Sequence, residues 1–137
     1  MVQWKGKNQY NWFQQRRRSW QNNTNCLRDS SSGFFNLGKS KDDLMLHFNA
    51  RFDAHGDIKT IVCNSKSKGQ WGKEHRESNF PFQEGSTTEV FFTHDKNELT
   101  VTLPGNHQFK VPNSAALEGI EYACVEGDID FKGISLV

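Results

Sequence analysis

The side chains best suited to chemistry in this sequence are His47, Asn49 and Arg51, which alternate along one short stretch. Residues two apart point to the same face of a β-strand. An ordinary solvated strand face carries mostly Thr, Ser, Lys and Glu, whereas this row supplies both hydrogen-bond donors and acceptors. The spacing therefore predicts a row of hydrogen-bonding groups on one face of a sheet.

A second group follows further along the chain and consists of Asn64, Trp71, Glu74 and Arg76. It supplies an amide, an aromatic ring, a carboxylate and a guanidinium. A pyranose has an apolar C–H face that can lie against an aromatic ring, and its hydroxyls both donate and accept hydrogen bonds, so a site for it needs partners of both kinds. The two groups together suit a sugar.

The strand predicted over residues 44–52 positions the first group, because apolar residues alternate there with polar ones. The face expected to enter the core carries Leu44, Leu46, Phe48, Ala50 and Phe52. The opposite face is expected to carry Met45 together with the polar row.

Short alternating runs separated by turn residues continue from Gly33 onward, which is typical of an all-β domain. Eight or more strands without a convincing helix favour a sandwich or jelly roll. The expected strands cover residues 34–38, 44–52, 60–64, 88–94, 98–103, 108–111, 120–126 and 129–136. Gly127-Asp128 is expected to join the last two strands as a hairpin.

Residues 1–32 are polar and irregular, and we predict an atypical N-terminal segment there, either a divergent strand or an arm. Residues 33–137 are predicted to form the binding domain. Arg16–Arg18 between two tryptophans could bind single-stranded nucleic acid by stacking and charge. A solvated arm is the preferred interpretation, so no nucleic-acid partner is expected.

The composition of the 137-residue chain fits one domain and excludes several partners. A net charge of +1 provides no overall attraction to nucleic acid or anionic membranes. No run approaches the ~18 apolar residues of a membrane-spanning helix. The first residues contain no apolar run, so we expect cytoplasmic synthesis without a signal peptide, followed by non-classical export to the extracellular space.

Three widely spaced cysteines, Cys26, Cys63 and Cys124, do not form a disulfide framework. An odd number cannot pair completely within one chain. We therefore expect free thiols.

The order and spacing of the polar groups resemble the sugar-binding region of the galectins, the β-galactoside-binding lectins with a two-sheet jelly-roll fold. The resemblance rests on the segments His47-Phe48-Asn49-Ala50-Arg51-Phe52, His55-Gly56-Asp57, Ile61-Val62-Cys63-Asn64-Ser65 and Trp71-Gly72-Lys73-Glu74-His75-Arg76. It continues through Phe80-Pro81-Phe82-Gln83 and Val111-Pro112-Asn113. It covers roughly residues 34–137 and implies a two-sheet antiparallel β-sandwich.

The resemblance also implies roles for the polar side chains. His47, Asn49 and Arg51 would bind the axial 4-hydroxyl of galactose, and Asn64 and Glu74 the 6-hydroxyl. Contacts between Arg51 and Glu74 would orient both side chains.

The remaining implied roles concern the aromatic platform and the second sugar. Trp71 would stack on the hexose. Arg76, together with Arg51 and Glu74, would reach the next sugar, while His55 would sit beside the site and modulate it. Neither a cofactor nor a metal is expected, and dimers would cross-link β-galactoside glycans on glycoproteins or glycolipids.

The sequence departs from the galectin pattern in several places. Ala50 replaces a common Pro, Ser114 replaces a common Arg, and Lys73 stands between Trp71 and Glu74. The N-terminal segment lacks the two apolar strands with which galectins usually begin.

Three other interpretations fit parts of this pattern. Glu74 could be half of a glycosidase carboxylate pair, but no second acid stands at a matching position. His47, His55 and either Glu74 or His75 could ligate a metal, although their spacing fits no common zinc signature. The main alternative is a galectin-like structural or intracellular partner-binding protein with weak or no sugar binding.

Overall fold

The computed structural model describes the backbone of residues 2–3, 9–14, 31–83, 86, 88–127 and 134–136, and the side chains of residues 32–83, 86 and 88–127. These parts of the chain contain strands and turns but no helix. The strands are β1 Val2–Gln3, β2 Gln9–Gln14, β3 Ser31–Ser40, β4 Asp43–Ala54, β5 Asp57–Ser67, β6 Gln70–Trp71, β7 His75–Glu77, β8 Thr88–His94, β9 Glu98–Thr102, β10 Gln108–Pro112, β11 Tyr122–Gly127 and β12 Ile134–Leu136.

The strands form two sheets. Sheet A has the order β1-β12-β2-β8-β9-β10, and sheet B has the order β11-β3-β4-β5-β6, with β7 also paired to β5. Neighbours are antiparallel except for β1 and β12, which pair in parallel. This architecture confirms the predicted two-sheet antiparallel sandwich.

The core lies between the sheets and is dominated by aromatic rings. Phe35 and Phe48 of sheet B stack at 4.8 Å between centroids, and both meet Phe92 of sheet A edge-on. All three side chains are almost completely buried. Because one face of β4 is committed to this core, its opposite face is available for a site.

Met45 is an exception to the predicted alternation in β4. It was assigned to the polar face, but it is fully buried in the core. The pairing register shifts between Leu44 and His47 against β5, and between Leu37 and Gly38 against β3. The irregularity breaks the two-residue period, so Met45 can turn inward although both its neighbours are also buried.

The predicted hairpin at Gly127-Asp128 is wrong, because the strands on either side belong to different sheets. β11 pairs with β3 in sheet B, whereas β12 pairs with β1 and β2 in sheet A. Gly127 has φ 100°, and a Cβ added there would lie 2.6 Å from the Ser32 carbonyl oxygen. A glycine is therefore required for close strand contact as much as for a turn.

Strands β1 and β2 fall in the segment that was expected to be irregular. The backbone of β2 pairs with β8 over Gln9–Gln14, which places it inside sheet A. The division at residue 32 stays a prediction, and residues 15–30, including Arg16–Arg18, lie outside the described part of the chain. None of the described residues belongs to a helix long and apolar enough to cross a membrane.

Candidate functional site

The outward face of sheet B carries the predicted polar row, and strand pairing brings further residues beside it. His47 lies between Asn36 of β3 and Asn64 of β5, because all three share one register position. Arg51 lies in the same way between Ser32 and Thr60. Three strands therefore contribute side chains to one continuous surface.

His47 is held at the centre of this surface. Its Nδ1 lies 2.5 Å from the Asn36 side-chain oxygen. The rings of Phe34 and Trp71 each lie 5.0 Å from the imidazole. Burial, reinforced by the positive charges of Arg51 and Lys66, lowers the pKa of His47 to about 4, although Glu74 opposes this. The ring is therefore neutral at physiological pH.

The two site asparagines are buried and fixed. Asn49 is 4% exposed; its amide nitrogen donates to the Gly33 carbonyl at 3.1 Å, and its oxygen accepts from Arg51 Nε at 2.7 Å. The Asn64 oxygen accepts from the Ser65 backbone N–H at 2.8 Å, and the Asn64 side chain lies just below the surface. Both amides are thus oriented before any ligand arrives.

A network of charges occupies the end of the site nearest the β4–β5 turn. Asp57 accepts from Arg51 Nη1 at 2.6 Å and from Arg76 Nη2 at 3.5 Å. Arg76 Nη1 donates to Glu74 at 2.5 Å. The hydrogen bonds from the two guanidinium groups lower the pKa of Asp57, and those to Glu74 and Asp57 raise the pKa of Arg76.

The expected contact between Arg51 and Glu74 is not formed. Arg51 pairs with Asp57 instead, and Glu74 pairs with Arg76. From the sequence, Asp57 is named only within the segment His55-Gly56-Asp57 and has no predicted role of its own. Its position at the start of β5 places its carboxylate within reach of both arginines, a contact that depends on how the strands pair.

Trp71 provides the exposed aromatic surface, since 52% of the residue is accessible. It lies in β6, paired with Lys66 of β5, whose ammonium is 5.0 Å from the ring centroid. The next residue, Gly72, donates its N–H to the Ser65 carbonyl at 2.9 Å. A Cβ at Gly72 would lie 3.3 Å from the Asn64 side-chain oxygen, so glycine allows the tryptophan strand to approach the buried amide closely.

His55 is the predicted site residue that the structure does not join to the others. It lies exposed in the turn between β4 and β5, with φ 53°. No hydrogen bond or ion pair links its side chain to another site residue within the described part of the chain. The other seven predicted residues share one surface.

The geometry bears on the alternative chemistries. No group of three or more His, Cys, Asp or Glu among the described residues is placed to hold a metal ion. His75, proposed as a ligand in that alternative, stacks on Phe109 of sheet A at 5.6 Å. For the glycosidase alternative, the acid that shares Arg76 with Glu74 is Asp57. The lowered pKa of Asp57 favours its ionised form, which suits ion pairing and not the proton donation that a glycosidase acid performs.

Comparisons of the sequence with a family model and with individual proteins point to the same family. The sequence model of the galactoside-binding lectin family matches residues 15–136. Galectin-1 of Mus musculus is 52% identical over 107 residues, covering 78% of this chain and 79% of its own length.

Solved structures agree with the sequence comparison. CG-16, a homodimeric agglutinin from chicken liver, superposes with a TM-score of 0.77 at 40% identity, covering 92% of this chain and 87% of its own. The complex of toad ovary galectin with thio-digalactose has a TM-score of 0.79 at 32% identity, covering 96% of this chain and 90% of its own.

Proposed function

The chain belongs to the galactoside-binding lectin family, and we propose that it binds β-galactosides of the lactose type without catalysis. The observation that carries this proposal is the fixed row of His47, Asn49 and Arg51 beside the half-exposed ring of Trp71. Lectins recognise sugars without turning them over. The proposal needs neither cofactor nor metal.

Selectivity for galactose comes from the direction of its 4-hydroxyl. We place this axial group against His47, Asn49 and Arg51, which together offer an acceptor and donors held by other contacts. The equatorial 4-hydroxyl of glucose would leave these groups unpaired, at about 1–3 kcal/mol for each lost partner. Galactosides are therefore preferred over glucosides.

The rest of the disaccharide follows the surface. Trp71 receives the apolar face of galactose, and Asn64 and Glu74 bind the 6-hydroxyl. Arg76 and Glu74, joined by their ion pair, reach the second sugar together with Arg51.

His55 has a lesser place in the proposal. It modulates the site from the exposed turn beside Asp57 without contacting the bound galactose directly.

The test compares lactose with cellobiose by calorimetry, because these disaccharides differ only in the configuration of the outer 4-hydroxyl. We expect weak binding of lactose and none of cellobiose. Equal affinity for the two sugars would refute the selectivity argument, and no binding of either would favour the alternative of a galectin-like partner-binding protein. Turnover of a chromogenic galactoside would contradict the absence of catalysis.

Cross-linking of glycans requires more than one site in an assembly. The similar CG-16 is a homodimer, and we propose that this chain also forms dimers, which bridge glycans on glycoproteins or glycolipids through multivalency. We further propose that the chain is exported by a non-classical route, since its ligands are displayed outside cells.

A further inference from the structure

Asn36 contacts His47 but is assigned no sugar contact in the binding scheme above. Asn36 lies in β3 directly across from His47 in the pairing register, and its side-chain oxygen approaches Nδ1 at 2.5 Å. Asn36 is half-buried. Among the described residues, the other ring nitrogen of His47, Nε2, has no hydrogen-bond partner.

The chemistry of this contact determines which nitrogen carries the proton. An amide oxygen only accepts hydrogen bonds, so Nδ1 must donate its proton to it. In a neutral imidazole the second nitrogen is then a bare acceptor. We propose that Asn36 is a positioning residue that holds His47 as the Nδ1-protonated tautomer and thereby presents Nε2 to the ligand as an acceptor.

The surroundings of His47 support a single ring orientation. Phe34 and Trp71 lie 5.0 Å from the imidazole, at interplanar angles of 45° and 64°. These rings restrict rotation of the imidazole, and Asn36 distinguishes its two nitrogens. A neutral histidine in water favours a proton on Nε2. The Nδ1-protonated tautomer proposed here therefore needs a hydrogen-bond acceptor at Nδ1, which the Asn36 oxygen provides.

The consequence for recognition rests on the proposed function. A hydroxyl that accepts from the Arg51 guanidinium must send its own proton elsewhere, and Nε2 of His47 would receive it. With the opposite tautomer, both neighbours would be donors and the hydroxyl proton would have no acceptor. Asn36 therefore acts on affinity through His47 without touching the sugar.

The first test reads the tautomer directly in the free protein. We expect ¹⁵N NMR of ring-labelled histidine at neutral pH to show Nδ1 of His47 protonated and Nε2 unprotonated. A proton on Nε2 would overturn the inference. This measurement needs no sugar, so it decides the tautomer even if the chain fails to bind lactose and the proposed function is wrong.

The second test uses variants. Asn36→Ala should bind lactose about tenfold more weakly, as expected for loss of one well-placed hydrogen bond, and should shift the ring signals towards the Nε2-protonated form. Asn97→Ala, at an exposed turn of sheet A, is the control and should change neither. If the wild-type protein binds lactose and a folded Asn36→Ala binds it equally well, the inference about Asn36 is refuted while the proposed function stands.

Asn36→Asp keeps the size of the side chain, so it distinguishes a role of Asn36 in positioning His47 from a role in packing. It is also the variant to use if Asn36→Ala does not fold. Its carboxylate keeps an acceptor for Nδ1–H, so the tautomer and binding at neutral pH should be retained. The added negative charge also favours protonated His47 against the opposing charges of Arg51 and Lys66, with Glu74 acting in the same direction. Binding should then fail at a higher pH than in the wild type, and an unchanged pH profile would contradict the proposed contact.

Discussion

Arg51 donates through Nη1 to the carboxylate of Asp57 at 2.6 Å, while its Nε donates to the oxygen of Asn49 at 2.7 Å. The guanidinium plane is therefore fixed from two directions. Asp57 also reaches Arg76, and so joins the two arginines that are proposed to flank the disaccharide. A carboxylate that touches no sugar in the proposed scheme thus sets the position of two side chains that do.

We predict that Asp57→Ala lowers lactose affinity by about tenfold, because charge-assisted hydrogen bonds no longer hold Arg51 and Arg76. The lactose affinity of Asp57→Asn should lie between those of Asp57→Ala and the wild type, since asparagine keeps an acceptor oxygen but loses the charge. Isothermal titration calorimetry would measure both.

Asp53→Asn is a matched control for Asp57, because Asp53 is an exposed carboxylate near the same end of β4. We expect no change in its lactose affinity. The melting temperature of all three variants should remain close to the wild type, since surface ion pairs contribute little stability. A folded Asp57→Ala with unchanged affinity would show that Arg51 is positioned without Asp57.

Trp71→Ala should remove most sugar binding and leave the fold intact. Trp71 is 52% exposed as a residue, so little of the core depends on it, whereas stacking of this kind contributes on the order of 1 kcal/mol beyond area effects. A loss of about tenfold or more in affinity is expected. Ile58→Ala is the control, because Ile58 is the other large apolar side chain with high exposure in the described residues, at 69%. Full lactose affinity without the tryptophan would exclude the stacking role.

The pH dependence of binding should follow His47. An ordinary histidine would place the loss of lactose affinity below about pH 6. Because burial lowers the pKa of His47 to about 4, the neutral acceptor persists to lower pH, and we expect affinity to stay flat from pH 7 to 5 and to fall near pH 4. Calorimetric titrations across this range would check the midpoint, and a loss centred at pH 6 would show that His47 titrates normally.

The same shift predicts an effect on stability. The pKa of His47 is lower in the folded state than the unfolded value of 6.5, so between these values the unfolded chain binds more protons. The free energy of unfolding should therefore decrease as the pH falls from about 6.5 to about 4, by at most about 3 kcal/mol. His47→Gln should reduce this slope in urea denaturation series, and an unchanged slope would assign the effect to other groups.

Cys63 should resist thiol reagents in the native protein. It is fully buried, and burial raises the pKa of its thiol, so almost no thiolate is available. Cys124 is also free in the structure but partly exposed. We expect one thiol to react slowly with the reagent in the native chain and rapidly after denaturation. This slow reaction should be absent in Cys63→Ala. An intramolecular disulfide in the sugar-binding form would contradict the expectation that the cysteines stay reduced.

The outcome for the site shows what a sequence can predict. Alternation in β4 fixes which side chains share a face, so the surface row was predictable from period two alone. The partner of Arg51 was not, because Asp57 reaches it only through the strand pairing that follows the turn. Met45 was misplaced for a related reason, since β4 carries no glycine or proline at the irregularity, and the glycine that lies there, Gly38, belongs to the neighbouring strand β3.

The two ends of the chain were the hardest to predict. The sequence of β2, Gln9-Tyr-Asn-Trp-Phe-Gln, is only six residues long, and its place in sheet A depends on long-range pairing with β8 and β12. The chain passes from β11 in sheet B to β12 in sheet A, and this also depends on long-range pairing, of β11 with β3 and of β12 with β2. Local pattern does not contain this information.

Sheet A has two edge strands at which a second chain could pair. One edge strand is β10, where Lys110 and Pro112 oppose pairing with another chain, since charge and a missing N–H both protect an edge. The other is β1, formed by Val2–Gln3 beside β12. We therefore predict a dimer that joins two chains at the β1 edge, and light scattering across a dilution series should show it.

A chain lacking residues 1–7 is the informative comparison, because it loses β1 but keeps β2, which pairs with β8 inside the sheet. This shortened chain should be monomeric or dissociate at much higher concentration, while each protomer binds lactose as before, since the site lies on sheet B. Agglutination of galactoside-bearing vesicles should fail with it, because cross-linking needs two sites. A full-length chain that remains monomeric at every concentration would refute both the dimer and this account of cross-linking.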